Sequence, residues 1–267
     1  MKLFVLLFAL ATPLAAQEIA PSDLDRLPAA DVVVIGETHD NPAHHANQAR
    51  AVGAIQPTAL VFEMLTPAQA ARTPDDRGDA DAMARAYDWA ATGWPDFAMY
   101  HPIFAAAPLA RVYGADVARD DLARAMSDGA AAAFGTDAAR FGLDAPLAAN
   151  DLTARLADQA AAHCDMLPAD LLPGMVEAQR LRDAALARAA VQAMVETGGP
   201  VAVITGSGHA REDTGVPALL RQAKPSLTVL SIGQIEGPPE GDVPFDLWIV
   251  TDGVPGRGNP CAAFGAD

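Results

Sequence analysis

The chain has 267 residues, with 34 acidic against 18 basic side chains and a formal net charge of −16. Phosphate binding needs the opposite sign, so no nucleic acid is expected as a partner, and an anionic membrane surface is disfavoured for the same reason. With 51% hydrophobic residues, a core the size of one large domain can be buried.

The first segment, MKLFVLLFALATPLAA, joins one Lys to an apolar stretch and a small-residue end. It predicts a signal peptide over 1–16, cleaved near Ala16, and a periplasmic or secreted chain from Gln17 onward. Gln17 stands where a lipid-attachment Cys would be, so no lipid anchor is expected. No later stretch offers the roughly twenty apolar residues of a transmembrane segment. Export would put Cys164 and Cys261 in an oxidising compartment, where a pair tends to become a disulfide. Neither has the Cys-x-x-Cys spacing of a thiolate metal site, and two free thiols are the remaining alternative.

From there, short apolar runs alternate with Ala-rich helical stretches. Asp31–Ile35, Ala59–Phe62, Ala110–Tyr113, Val201–Thr205, Leu227–Ile232 and Phe245–Val250 read as buried parallel strands. Between them, Pro42–Ala54, Ala80–Thr92 and Leu152–His163 read as helices, and Asp170–Glu196 as a longer one kinked near Pro173–Gly174. Ala115–Asp151 reads as short helices capping the carboxyl edge of the strands. The fold class expected is α/β, a mostly parallel central sheet flanked by helices, with 17–267 as a single domain.

Ligands of open α/β sheets bind beyond the carboxyl ends of the strands. The first expected strand delivers Glu37 and His39 there, the second Glu63 and the fourth His209; VVVIGETH and VAVITGSGH share one frame, an apolar strand ending in Gly-x-x-His. Two carboxylates and two imidazoles suffice for a divalent metal or for general acid–base catalysis, so Glu37, His39, Glu63 and His209 are candidate catalytic residues and candidate metal ligands. Gly36, Gly206 and Gly208 would permit tight turns and close backbone approach. Of His44 and His45, at the start of a helix opened by Pro42, one can face the same edge or both can be ordinary first-turn residues. The run from Trp89 to Phe104 gathers the aromatic residues of a chain with little aromatic content. It is either core or the lining of a flat apolar ligand, with Tyr100 and His101 its polar ends. Gln179 and Asp183 share a helix face and can pair toward the edge or into solvent.

GETHDNPAHH, a Glu after the second strand, GWPDFAMYHPIF, MVEAQRLRDAALA and ITGSGHAREDTGVP follow one another here. In that order they resemble the ChaN-like haem-binding uptake proteins, from about Asp31 to Leu220. The wider superfamily includes Tiki-type metal-dependent proteases, TraB-like proteins and erythromycin esterases. The resemblance implies a haem cofactor, a role in haem or iron uptake, and a haem-binding chain that is monomeric or a homodimer. Tyr100 becomes the first-choice iron ligand because phenolate oxygen suits ferric iron, with His101, His45 and Trp94 as further cofactor-binding candidates. The hydrolase branches imply the alternative, a divalent-metal-dependent protease or esterase using Glu37, His39, Glu63 and His209.

Overall fold

The computed structural model describes residues 16–239 and 241–263; apart from Ala16, the expected signal peptide lies outside them. The strands are β1 (Gln17–Glu18), β2 (Val32–Glu37), β3 (Ala59–Phe62), β4 (Arg111–Gly114), β5 (Val201–Gly206), β6 (Val229–Glu236) and β7 (Leu247–Thr251). They form one seven-stranded sheet in the order β1-β7-β6-β2-β5-β3-β4, and every pairing is parallel. The six expected strands are present. The short edge strand β1 was not expected, because two residues carry no apolar pattern.

The helices are α1 (Pro42–Ile55), α2 (Pro67–Ala70), α3 (Ala80–Ala86), α4 (Phe97–Ala106), α5 (Arg119–Asp128), α6 (Ala130–Phe134), α7 (Ala149–Ala162), α8 (Leu172–Thr197) and α9 (Val216–Ala223). Asn41 caps α1, its side chain accepting from Ala43 N at 2.9 Å, and Pro42 fills a first-turn position whose amide would lack a partner. Parallel strands need both faces covered, and residues alternate between the two cores. Val33, Ile35, Leu60 and Phe62 face the α1 and α4 side, whereas Val32, Val34, Ala59 and Val61 face α8 and α9. The strands therefore read as unbroken apolar runs.

Three expectations need correction. The helix expected over Ala80–Thr92 stops at Ala86, where Asp88 adopts a left-handed conformation (φ 52°) before a short 3-10 turn at Trp89–Ala91. Pro173 does not kink a helix but occupies the first turn of α8, a place that needs no amide donor. The stretch Ala115–Asp151 does form short helices, but Ala125, Ala130 and Phe134 of α5 and α6 pack into the core beside α8, while α7 contributes to the wall above the strand ends.

Cys164 and Cys261 form a disulfide, Cα–Cα 5.5 Å, across 97 residues. It ties the segment after α7 to the C-terminal 3-10 turn at Pro260–Ala263. Among the described residues no helix is long and apolar enough to cross a membrane.

Candidate functional site

Strands β2 and β5 are neighbours, with Glu37 in register with Gly206, so their Gly-x-x-His segments leave the sheet side by side. That proximity explains two glycines. A Cβ on Gly36 would lie 2.8 Å from Ser207 Cα, and one on Gly206 would lie 3.0 Å from His39 Nε2 and 3.7 Å from Glu63 Oε2. Glu63, one residue beyond β3, joins from the other side of β5 through its amide, which donates to Ile204 O at 3.1 Å. The structure thus collects Glu37, His39, Glu63 and His209 at one edge.

Two hydrogen-bonded groups make up this floor. In the first, His39 Nδ1 donates to Glu37 Oε1 at 2.7 Å and Tyr100 donates to the same oxygen at 3.1 Å. In the second, Glu63 Oε2 accepts from Thr205 Oγ1 at 2.7 Å and Gly206 N at 2.8 Å, while its Oε1 lies 3.5 Å from His209 Nε2. The other nitrogen of His209 donates to Asp183 Oδ1 at 2.7 Å, with the Gln179 amide 3.1 Å away. Gln179 and Asp183 thus turn toward the site from α8.

Burial alone would strip the proton from His209, but the charges of Glu63 and Asp183 and their hydrogen bonds outweigh it and raise the imidazole to about 10. Burial would conversely protonate Glu63; the adjacent His209 charge and hydrogen bond hold its carboxyl well below the usual range. His39 is penalised by burial too, yet its bond to Glu37 and the nearby Glu63 charge raise it. His209 is thus held toward its charged form between the Glu63 and Asp183 carboxylates, an arrangement able to give and recover a proton. Among the described residues no three His, Cys, Asp or Glu side chains form a group able to hold a metal ion. Glu37, His39, Glu63 and His209 share the edge as two pairs, Glu37 with His39 and Glu63 with His209, rather than as one group around a common point.

Above the floor opens a cleft of about 920 Å³ between α7 and α8, within the size range of small-molecule sites. Arg155, Arg182 and Arg211 line it together with His163, Met175 and Val176. The Arg155 Nε is buried and has no hydrogen-bond partner; burial, opposed by the Asp183 charge, weakens this guanidinium's hold on its proton. His163 donates from Nδ1 to Gln159 O at 2.8 Å. Sequence reasoning missed Arg155 and His163, which sit in an Ala-rich helical stretch without a recognisable motif. The one available signal was the neighbour of His163, Cys164, whose disulfide fixes this part of the chain.

A sequence model described as haem-binding uptake, Tiki superfamily, ChaN, matches residues 24–220. The chain belongs to this ChaN family. Among solved structures, one titled as cofacial haem binding to ChaN of Campylobacter jejuni superposes with a TM-score of 0.57 at 18% identity, covering 82% of this chain and 86% of that one; at that identity the likeness is one of fold. A second, of the type III effector HopBA1, gives a TM-score of 0.41 at 15% identity, covering 84% of this chain and 88% of that one. No curated protein matches.

In this ChaN-family chain the residues expected to contact haem do not gather around the cleft. Tyr100 is fully buried; burial and the adjoining Glu37 carboxylate hold its phenol firmly protonated, which corrects its choice as iron ligand. Tyr87 and Tyr113 are buried as well. His45 lies beneath Glu37, its Nε2 donating to His39 O at 2.8 Å and its Nδ1 3.3 Å from Glu37 Oε2, out of reach of a ligand in the cleft. His101 donates from Nε2 to Arg77 O at 2.8 Å and does not line the cleft. His44 is structural: its Nδ1 accepts from Thr38 N and its Nε2 donates to Thr251 Oγ1, both at 2.7 Å, and burial pushes it down to about 4. Most of the aromatic segment is core, including Trp89, Phe97 and Phe104. Trp94 is half-buried beside that core, its ring centroid 4.8 Å from that of His39 in an edge-to-face arrangement.

Proposed function

We propose that this chain is an exported haem-binding protein serving haem or iron uptake, and that its ligand occupies the cleft between α7 and α8. Family membership over residues 24–220 carries the reading, and the chemistry of the cleft fits the group. Haem presents an iron that takes a nitrogen, sulfur or oxygen donor, a broad apolar face and two carboxylates. The cleft offers His163 and Met175 as neutral donors, Val176, Ala161 and Ala178 as apolar wall, and Arg155, Arg182 and Arg211 as cations. The unpartnered Arg155 Nε is a donor that a carboxylate would satisfy. Export is supported by the leader at 1–16 and by the Cys164–Cys261 disulfide, a bond that persists in oxidising compartments.

Titrating the full-length mature chain with haemin tests the reading. A saturable change in the Soret band at micromolar protein is the expected result, and its absence eliminates the reading. Size-exclusion chromatography with and without haemin shows whether the loaded form is a homodimer.

The Asp183–His209–Glu63 group favours a second reading, a hydrolase branch. Here His209 would act as proton donor to a leaving group, and no ready metal set is needed. Esterase or peptidase activity lost in His209→Gln and Glu63→Gln would support it, whereas inactivity of the wild type over a range of ester and peptide substrates would remove it.

A further inference from the structure

Building on the haem reading above, we infer that His163 is the axial iron ligand in this chain, acting through Nε2, with Arg155 holding a propionate of the same haem.

The choice follows from the hydrogen bonds of the chain's six histidines. Carbonyls only accept, so the contact of His163 Nδ1 with Gln159 O at 2.8 Å places a proton on Nδ1, and the neutral tautomer that matches it carries its lone pair on Nε2. That is the state in which imidazole binds iron, and a backbone carbonyl on the far nitrogen is the usual support of a metal-bound histidine, fixing tautomer and orientation. Among the described residues His163 Nε2 has no hydrogen-bond partner, and the side chain lines the cleft. His44 and His209 have both nitrogens engaged, His45 is buried, and His101 is committed to Arg77 O. His39 also faces the cleft, but its Nε2 is close against Gly206, and the carboxylates of Glu37 and Glu63 favour its protonated form.

Arg155 supplies an independent observation. Its Nε is buried without a partner, and its terminal nitrogen makes only a long contact, 3.5 Å, to Thr214 O. Arg155 belongs to α7 and His163 is its C-terminal cap. Eight residues of helix separate them by about 12 Å, so one flat ligand lying along α7 can meet both. The Cys164–Cys261 disulfide anchors the residue next to the proposed ligand. Binding is a ligand exchange: Nε2 donates its lone pair to ferric iron, and the water or hydroxide carried by free haemin leaves.

Haemin titrations of wild type, His163→Ala, His39→Gln and Arg155→Met, with far-UV circular dichroism to confirm folding, test this. The wild type should show the ferric spectrum of imidazole-bound haem and, once reduced, an iron–histidine stretch in resonance Raman. His163→Ala should lose that stretch and bind haemin at least roughly 10-fold more weakly, as removal of even a supporting group does at metal sites; added imidazole should restore the spectrum. Arg155→Met should weaken binding and keep the stretch. If His163→Ala keeps the stretch, or if His39→Gln loses it instead, the assignment is wrong while the haem reading stands. No saturable binding by the wild type overturns both.

Discussion

Glu37 and Gly206 are register partners on adjacent parallel strands, and the candidate site follows from that pairing. It sets the two Gly-x-x-His segments side by side, puts His39 over the missing Cβ of Gly206, and lets Glu63 accept the Gly206 amide at 2.8 Å.

Substituting either glycine should therefore disturb the floor. In Gly206→Ala the new methyl meets a side-chain atom, His39 Nε2, at 3.0 Å; in Gly36→Ala it meets backbone, Ser207 Cα, at 2.8 Å. Overpacking of this kind costs about 1–3 kcal/mol, and Gly36→Ala should fall at the upper end because backbone yields less than a side chain. Urea unfolding of the two variants checks the order, and a neutral effect of Gly36→Ala would contradict the packing described.

His209, raised to about 10 by Glu63 and Asp183 against the effect of burial, should stay protonated at physiological pH. A histidine whose folded value lies above its unfolded one stabilises fully below about 6.5, and that stabilisation is lost as pH rises through the folded value. The urea midpoint of the wild type should therefore fall between about pH 7 and about pH 9.5, and His209→Gln should show a flatter profile. Nitrogen NMR of the imidazole should show the charged form at pH 8; a neutral ring there would refute the ion-pair description.

The disulfide closes a long loop, 97 residues in sequence. Chain-entropy arguments give about 4.7 kcal/mol for a loop near this length, with measured losses of roughly 2–5 kcal/mol on removal. The double variant Cys164→Ser/Cys261→Ser should lose stability in that range, read from thermal or urea unfolding. An unchanged midpoint would mean that the bond does not constrain the chain in solution.

Tyr100→Phe should leave haemin affinity unchanged, because the phenol is buried and donates to Glu37 at 3.1 Å. Its effect should instead be on stability, about 1.5–3 kcal/mol for a hydrogen bond to a charged group. A spectral change on haemin binding confined to this variant would show that the phenol reaches the iron.

Much of this was legible in the sequence, for reasons particular to a parallel sheet. Runs such as VVVI and VAVI are buried on both faces, so composition alone marks the strands, and the residue after each run is placed at the carboxyl edge by necessity. Glu37, His39, Glu63 and His209 were found that way. The same logic failed for Tyr100 and His101. A helix through an aromatic cluster turns residues in all directions, and which ones meet core is decided by tertiary packing against α1 and β3. Arg155 and His163 escaped notice because an Ala-rich helix has no pattern that distinguishes a wall of a cleft from a solvated face. Pro173 is ambiguous for a simpler reason: without a visible cap, a proline at a helix start looks in sequence like one inside it.

The central claim is that the cleft between α7 and α8 is where the ligand binds. Ala162 is exposed on α7 and lines the cleft, so Ala162→Trp fills that space without disturbing the core. Haemin titration of the wild type beside this variant is the most direct test. The expected result is saturable binding by the wild type and a loss of roughly 10-fold or more in affinity, about 1.4 kcal/mol, in Ala162→Trp. Equal haemin affinity in the two proteins would contradict the account.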